Sequence, residues 1–215
     1  MSLCNRVDPF GTLEAVATRG QFTGNRGIIH DPASRTLLKR RWTTKAWIVC
    51  ALEWKGRRRE VWGRNGPAGA TGWTELFFLD EVTALSAGHR PCFACRSVAA
   101  STFLSACKQG LAEPGLRLAE LDGRLHRERA VSGGLGPELS PNDVPGLPDG
   151  AMFAVGDRPF ALRAGVLLPW SPAGYASPVE LRALRSERMR LLTPASTLAA
   201  LRGGYRPVWH PSAGA

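Results

Sequence analysis

The segment from Thr74 to Arg96 leaves the chain few local choices. Thr74-Glu-Leu-Phe-Phe-Leu79 reads as a strand, because aromatic and apolar residues suit a pleated, half-buried surface. Asp80 stands where its carboxylate can accept the first free amides of a helix over Glu81 to Ala87. Gly88 can then close that helix in a left-handed conformation that a Cβ would penalise. The chain leaves through His89-Arg90-Pro91 into Cys92-Phe-Ala-Cys95. Such a turn bends the backbone into a knuckle and lets two thiolates point at one centre, and zinc takes four ligands of this kind. The same spacing also serves a redox pair or two buried thiols.

Charge is the next constraint. The formal net charge is +10, and it is concentrated: Arg35, Lys39, Arg40, Arg41, Lys45, Lys55, Arg57, Arg58, Arg59 and Arg64 stand against only Glu53 and Glu60 in that stretch. Clustered cations draw polyanions and release their counterions on binding. Trp42, Trp47, Trp54, Trp62 and Trp73 are interleaved with them, and indole faces beside guanidinium groups can stack bases while phosphates are neutralised. The expected partner is nucleic acid, DNA in particular. Arg40, Arg41, Lys45, Arg57, Arg58, Arg59 and Arg64 are its candidate phosphate contacts, and Trp42 and Trp62 its candidate exposed rings. Trp47 and Trp54, at strand positions, are expected in the core.

Around these signals the chain of 215 residues is long enough to bury a proper core. Residues 1–30 form an irregular lead-in with turns at Gly20, Gly24 and Gly27. Lys45 to Trp54 and Arg57 to Trp62 read as a β-hairpin, its first strand apolar on both faces and central, its second a charged edge. Helical spacing marks Arg96 to Gln109 and Leu116 to Arg129. A stretch dense in Gly, Pro, Ser, Asn and Asp follows over 132–150, then strands at 151–155, 160–163 and 165–170, and a helix over Pro178 to Leu192 with one apolar stripe and one basic face. The fold class is α+β: a small mixed or antiparallel sheet with short helices and a CxxC knuckle, plus a second α+β half. The organisation expected is a basic, Trp-rich region over 1–130, a linker over 131–150 and a carboxy-terminal region over 151–215, with the first and last free to pack as one domain. A faint echo links Ala84-Leu85-Ser-Ala-Gly88-His89-Arg90-Pro91 with Ala200-Leu201-Arg-Gly-Gly204-Tyr205-Arg206-Pro207, explained equally by duplication or by a shared capping solution.

From Thr74 through Gly88-His89-Arg90-Pro91-Cys92-Phe-Ala-Cys95-Arg96 the chain resembles the second half of the Ada-type metal-binding domain, over residues 74–96 only. That resemblance implies a structural zinc in a small α/β module contacting DNA backbone, in proteins of DNA repair or processing. Carried over by position, Cys92 and Cys95 form one ligand pair, and Arg90 and Arg96 face phosphates. The family's upstream pair is two close cysteines, whereas here Cys50 stands alone on the preceding strand. The ligand set is then Cys50, Cys92 and Cys95, with His30, His89 or water as the fourth. His89 replaces a family aromatic, which argues for stacking rather than ligation.

Two rival functions stay open. A metal-dependent DNA nuclease or repair enzyme would need a base, and the candidates are His126 with Glu128 or His30 with Asp31, neither a recognised catalytic motif. A protein-interaction module would offer its basic surface to an acidic partner. No stretch is long and apolar enough for a membrane span, and the opening residues lack the apolar run of a signal peptide. The odd count of five cysteines speaks against a disulfide scaffold, so the cytoplasm is the expected compartment.

Overall fold

The apolar run after Lys45 becomes an interior strand in the computed structural model, which describes residues 2–56, 60–129, 136–184 and 188–214. The strands β1 (Arg6–Val7), β2 (Leu13–Glu14) and β3 (Phe22–Asn25) come first, and a separate ribbon pairs β4 (His30–Asp31) with β5 (Thr36–Leu37). Then β6 (Ile48–Ala51), β7 (Leu76–Phe78) and β8 (Arg90–Pro91) complete a six-stranded mixed sheet in the order β2-β1-β7-β3-β6-β8. The pairs β1–β7 and β6–β8 are parallel, and the others are antiparallel.

Between β7 and β8 lies α1 (Glu81–Ser86), with Asp80 accepting from the Thr83 amide at its start. Gly88 closes it at φ +78, and a Cβ there would sit 2.5 Å from Arg129 Cγ, so the position needs glycine for space as well as for conformation. Then come α2 (Ser97–Gly110) and α3 (Leu118–Glu128). The second sheet is antiparallel throughout: β9 (Glu138–Leu139), β10 (Met152–Val155), β11 (Arg158–Arg163), β12 (Val166–Ser171), β13 (Gly174–Tyr175) and β14 (Met189–Leu191), ordered β13-β12-β11-β10-β14-β9. The helix α4 (Ala195–Arg202) follows it. Helices and sheets in this mixture make the fold α+β.

The two sheets share their interior through α1. Leu85 packs in one cluster with Phe103, Leu121, Leu125, Leu198 and Tyr205, while Leu79 and Val82 pack with Met152, Leu168 and Tyr175. Consecutive carboxylates at the start of α1 clasp the carboxy-terminal chain. Asp80 Oδ2 accepts from the Tyr175 hydroxyl at 2.9 Å and the His210 amide at 3.0 Å. Glu81 accepts from the Tyr205 hydroxyl at 2.7 Å and the Val208 amide at 3.0 Å. The echo read in the sequence has a backbone counterpart. The His89 amide bonds Ala84 O at 2.9 Å, the Tyr205 amide bonds Ala200 O at 3.0 Å, and Gly88 and Gly204 are both left-handed.

Two expected elements differ. The hairpin over 45–62 does not form among the described residues, because β6 spends both edges elsewhere, on β3 and β8; Arg57, Arg58 and Arg59 lie outside the described residues. The expected helix over 178–192 is instead a bridge at Val179, a short 3-10 turn over Leu181–Leu184 and strand β14. The free edge of β10 recruits Met189–Leu191, and sheet pairing overrides the helical stripe. Within 136–150, β9 pairs with β14 and Val144 is buried, so the described part of that stretch is packed against the second sheet.

Candidate metal centre

Parallel pairing of β6 with β8 sets Val49 opposite Pro91, and the Cys92 amide bonds Val49 O at 3.0 Å. Cys50, next along β6, thereby meets Cys92 at the exit of β8. The knuckle then folds back, with the Arg96 amide on Cys92 O at 2.9 Å, and brings Cys95 to the same point just before α2. The Sγ atoms of Cys50, Cys92 and Cys95 lie within 4.8 Å of one another, an arrangement that could hold a metal ion. Cys92 is buried and the other two are half-buried.

The surroundings favour negative charge on one of the three sulfurs, Cys92. The Cys50 thiol, hydrogen-bonded to Cys92, holds that group down to about 5 against the opposing effect of burial, helped by the amides of Cys95 and Ala94. The Ala94 amide is 3.4 Å from Cys92 Sγ. The same shared hydrogen bond, with burial, pushes Cys50 up. Burial raises Cys95, and the Ala51 amide opposes it. One thiolate supported by a neighbouring thiol and by backbone N–H groups is the protonation pattern that a metal ion resolves, because ligation releases the remaining protons. Cys4 bonds Leu13 O and Cys107 bonds Ser196 O, so neither belongs to the cluster.

Neither histidine named as a fourth ligand joins it. His30 is 2 % exposed, its Nδ1 lies 2.7 Å from Thr74 Oγ1, and its ring stacks on Trp62 at 5.6 Å. His89 is fully buried between Trp47 and Phe78, at 5.1 and 4.7 Å, and its Nε2 accepts from Arg26 Nε at 3.3 Å. Its role is stacking. Burial lowers the pKa of His30, and of His89 well below the usual value.

The paired candidates for general-base chemistry do not converge. Glu128 receives the Ser196 amide and hydroxyl, both at 2.9 Å, and so holds the first turn of α4. His126 instead sets its ring edge-on to Trp42 at 5.4 Å. Asp31 accepts from the Ala33 amide at 2.7 Å in a tight turn, while the buried His30 ring is engaged by Thr74 and Trp62.

Three of the proposed nucleic-acid contacts turn inward. Arg90 makes a two-pronged pair with Asp122, at 2.7 and 2.8 Å, and is 6 % exposed. Arg96 is tied to Glu81 at 2.8 Å. Trp62 is 1 % exposed: its left-handed backbone, φ +60, turns the ring inward, where its Nε1 donates to Glu75 O at 3.0 Å. Arg40, Arg41, Lys45 and Arg64 are exposed and Trp42 is half-buried.

Sequence reading missed a buried cation stack. The guanidinium carbons of Arg26 and Arg129 each lie 4.0 Å over the Trp47 ring. Arg26 donates to Gly11 O at 2.9 Å, and Arg129 to Gly88 O at 2.9 Å and Lys45 O at 3.0 Å. Burial brings both down to about 9, so both stay charged at neutral pH, and the charge of Arg129 adds to the lowering at Arg26. Arg129 ends the expected helix and Arg26 sits in the expected turn, but nothing in their spacing announces a common ring.

Comparison with protein-family models, with curated proteins and with solved structures finds no match to the chain.

Proposed function

We propose that the chain binds nucleic acid, DNA as the expected partner, and that a zinc ion on Cys50, Cys92 and Cys95 organises its amino-terminal half. The observation that carries the first part is a cluster of exposed cations where the end of α3 meets the loop that carries Trp42, whose ring touches His126. Besides burial, the charges that lower His126 are those of Arg129, Lys45 and Arg127, all positive. Lys45 and Arg127 are exposed there, and Arg40 and Arg41 stand exposed on the same irregular loop as Lys45, beside half-buried Trp42. A charged rim around an accessible indole edge suits a phosphate backbone with adjacent bases.

Three soft thiol donors suit zinc far better than magnesium or calcium. The cluster ties β6, the exit of β8 and the entry to α2 into one frame, next to the loop that carries the basic groups. The likeness of residues 74–96 to an Ada-type knuckle points the same way, toward repair or processing of DNA.

Fluorescence anisotropy with labelled duplex DNA, single-stranded DNA and RNA, titrated at several salt concentrations, tests the binding. Affinity should fall steeply with salt, and Arg41→Ala with Lys45→Ala should flatten the slope by about 2, one for each lost phosphate contact. No binding to any of the three at low salt would overturn it. Elemental analysis of protein purified without chelator should find zinc that Cys92→Ser abolishes.

A further inference from the structure

We propose that the metal centre keeps one coordination position for a ligand from solution, and that this ligand is a small thiol bearing negative charge. The inference rests on the zinc reading above. Among the described residues the donor cluster stops at three. Zinc takes four donors, and a chain that supplies three leaves a position for an outside ligand. Cys50 and Cys95 are half-exposed, so the cluster borders solvent.

Cys95 also lines a cleft, with Arg96, Val98, Tyr205, Arg206 and Val208 around it. Glu81 lies there too, but its carboxylate is occupied by Arg96, the Tyr205 hydroxyl and the Val208 amide. Arg206 is exposed, and its Nη1 hydrogen bonds go to the backbone carbonyls of Leu201 and Tyr205, at 3.5 and 3.3 Å. A positive group thus stands over the cleft with its charge uncancelled by those bonds. Val98 and Val208, 80 % and 47 % exposed, offer apolar walls to a short alkyl chain. A thiolate is the soft donor that completes a four-sulfur set, and a carboxylate on its tail would meet Arg206. On binding, the thiol gives its proton to water, a sulfur–metal bond forms in place of solvent, and no electron is transferred.

The test uses the full chain loaded with cobalt(II), whose visible bands report sulfur ligation, titrated with 3-mercaptopropionate and with 2-mercaptoethylamine. A saturable spectral change is expected, with the carboxylate-bearing thiol at least about fivefold tighter; that factor is about 1 kcal/mol. Arg206→Ala should erase the preference and Arg206→Lys restore it. A cobalt spectrum that neither thiol changes, or equal binding of both thiols whatever residue stands at 206, would overturn the proposal. Absence of any sulfur-to-cobalt band in the wild-type chain would instead sink the metal reading on which it stands.

Discussion

Around β10 and β11 the interior is Phe153, Val155, Phe160 and Leu162, all within one apolar cluster. Around β6 and β8, at the same depth, lie Arg26, His89 and Arg90, with Arg129 against them. The second sheet is held by transfer of apolar area from water, which asks only for the right size and alternation. The first buries a smaller apolar cluster, Val7, Val49, Leu76 and Phe78, and adds directed contacts: two guanidinium groups on three backbone carbonyls and one indole, and a two-pronged ion pair. Such groups stabilise only while every partner is present, because an orphaned buried charge costs more than the pair contributes. The region that carries the candidate chemistry is therefore also the more brittle one.

The widest separation between the two regions should come from the thiols. Cys92→Ser is expected to abolish metal binding and cut the resistance of β6–β8 amides to hydrogen exchange, while the protection of β10 and β11 persists. Loss of protection across both sheets together would mean that they are one cooperative unit. Next, Phe153→Ala should cost about 3–5 kcal/mol in urea unfolding, as a cavity in a close-packed interior does, with the metal content unchanged. Asp122→Ala should match it at about 3–5 kcal/mol without removing any apolar packing, since it strands Arg90; a cost under about 1 kcal/mol would show that water relieves that charge. Tyr205→Phe removes one hydroxyl bond to Glu81 and should cost about 1.5–3 kcal/mol.

The smallest effect is a pH dependence at Asp8. Burial pushes its carboxyl up to about 6, against the Thr12 amide, which donates to the carboxylate at 2.7 Å. A folded-state value above the unfolded one means that the native state holds this proton more tightly, so the cost of ionisation is full above pH 6 and fades as pH falls toward 4. Asp8→Asn should therefore gain on the order of 1 kcal/mol over the wild type at pH 7.5 and lose most of that advantage by pH 4.

The same contrast explains what the sequence could tell. Strands at 151–155 and 160–163 and the turn at Gly156-Asp157 were legible because apolar alternation and a turn signal are local. So was the start of α1, where Asp80 caps and Gly88 closes. The thiol cluster was legible because Cys50, Cys92 and Cys95 are scarce residue types, although the strand pairing that unites them is parallel and joins distant segments. Charge misled where it was buried: Arg90 and Arg96 look like phosphate contacts until Asp122 and Glu81, far along the chain or on the preceding helix, are seen to take them. The basic stripe over 178–192 misled for a different reason, since a free sheet edge claimed Met189–Leu191.

The clasp formed by Asp80 and Glu81 bears on the order in which the molecule can be made. The helix that leads into the knuckle begins on two carboxylates whose donors, Tyr175, Tyr205, Val208 and His210, are synthesised about a hundred residues later at ribosomal rates of 5–20 residues per second. Until those donors emerge, two buried acids lack part of their hydrogen bonding, so the sulfur cluster should reach its final rigidity only when the end of the chain has docked.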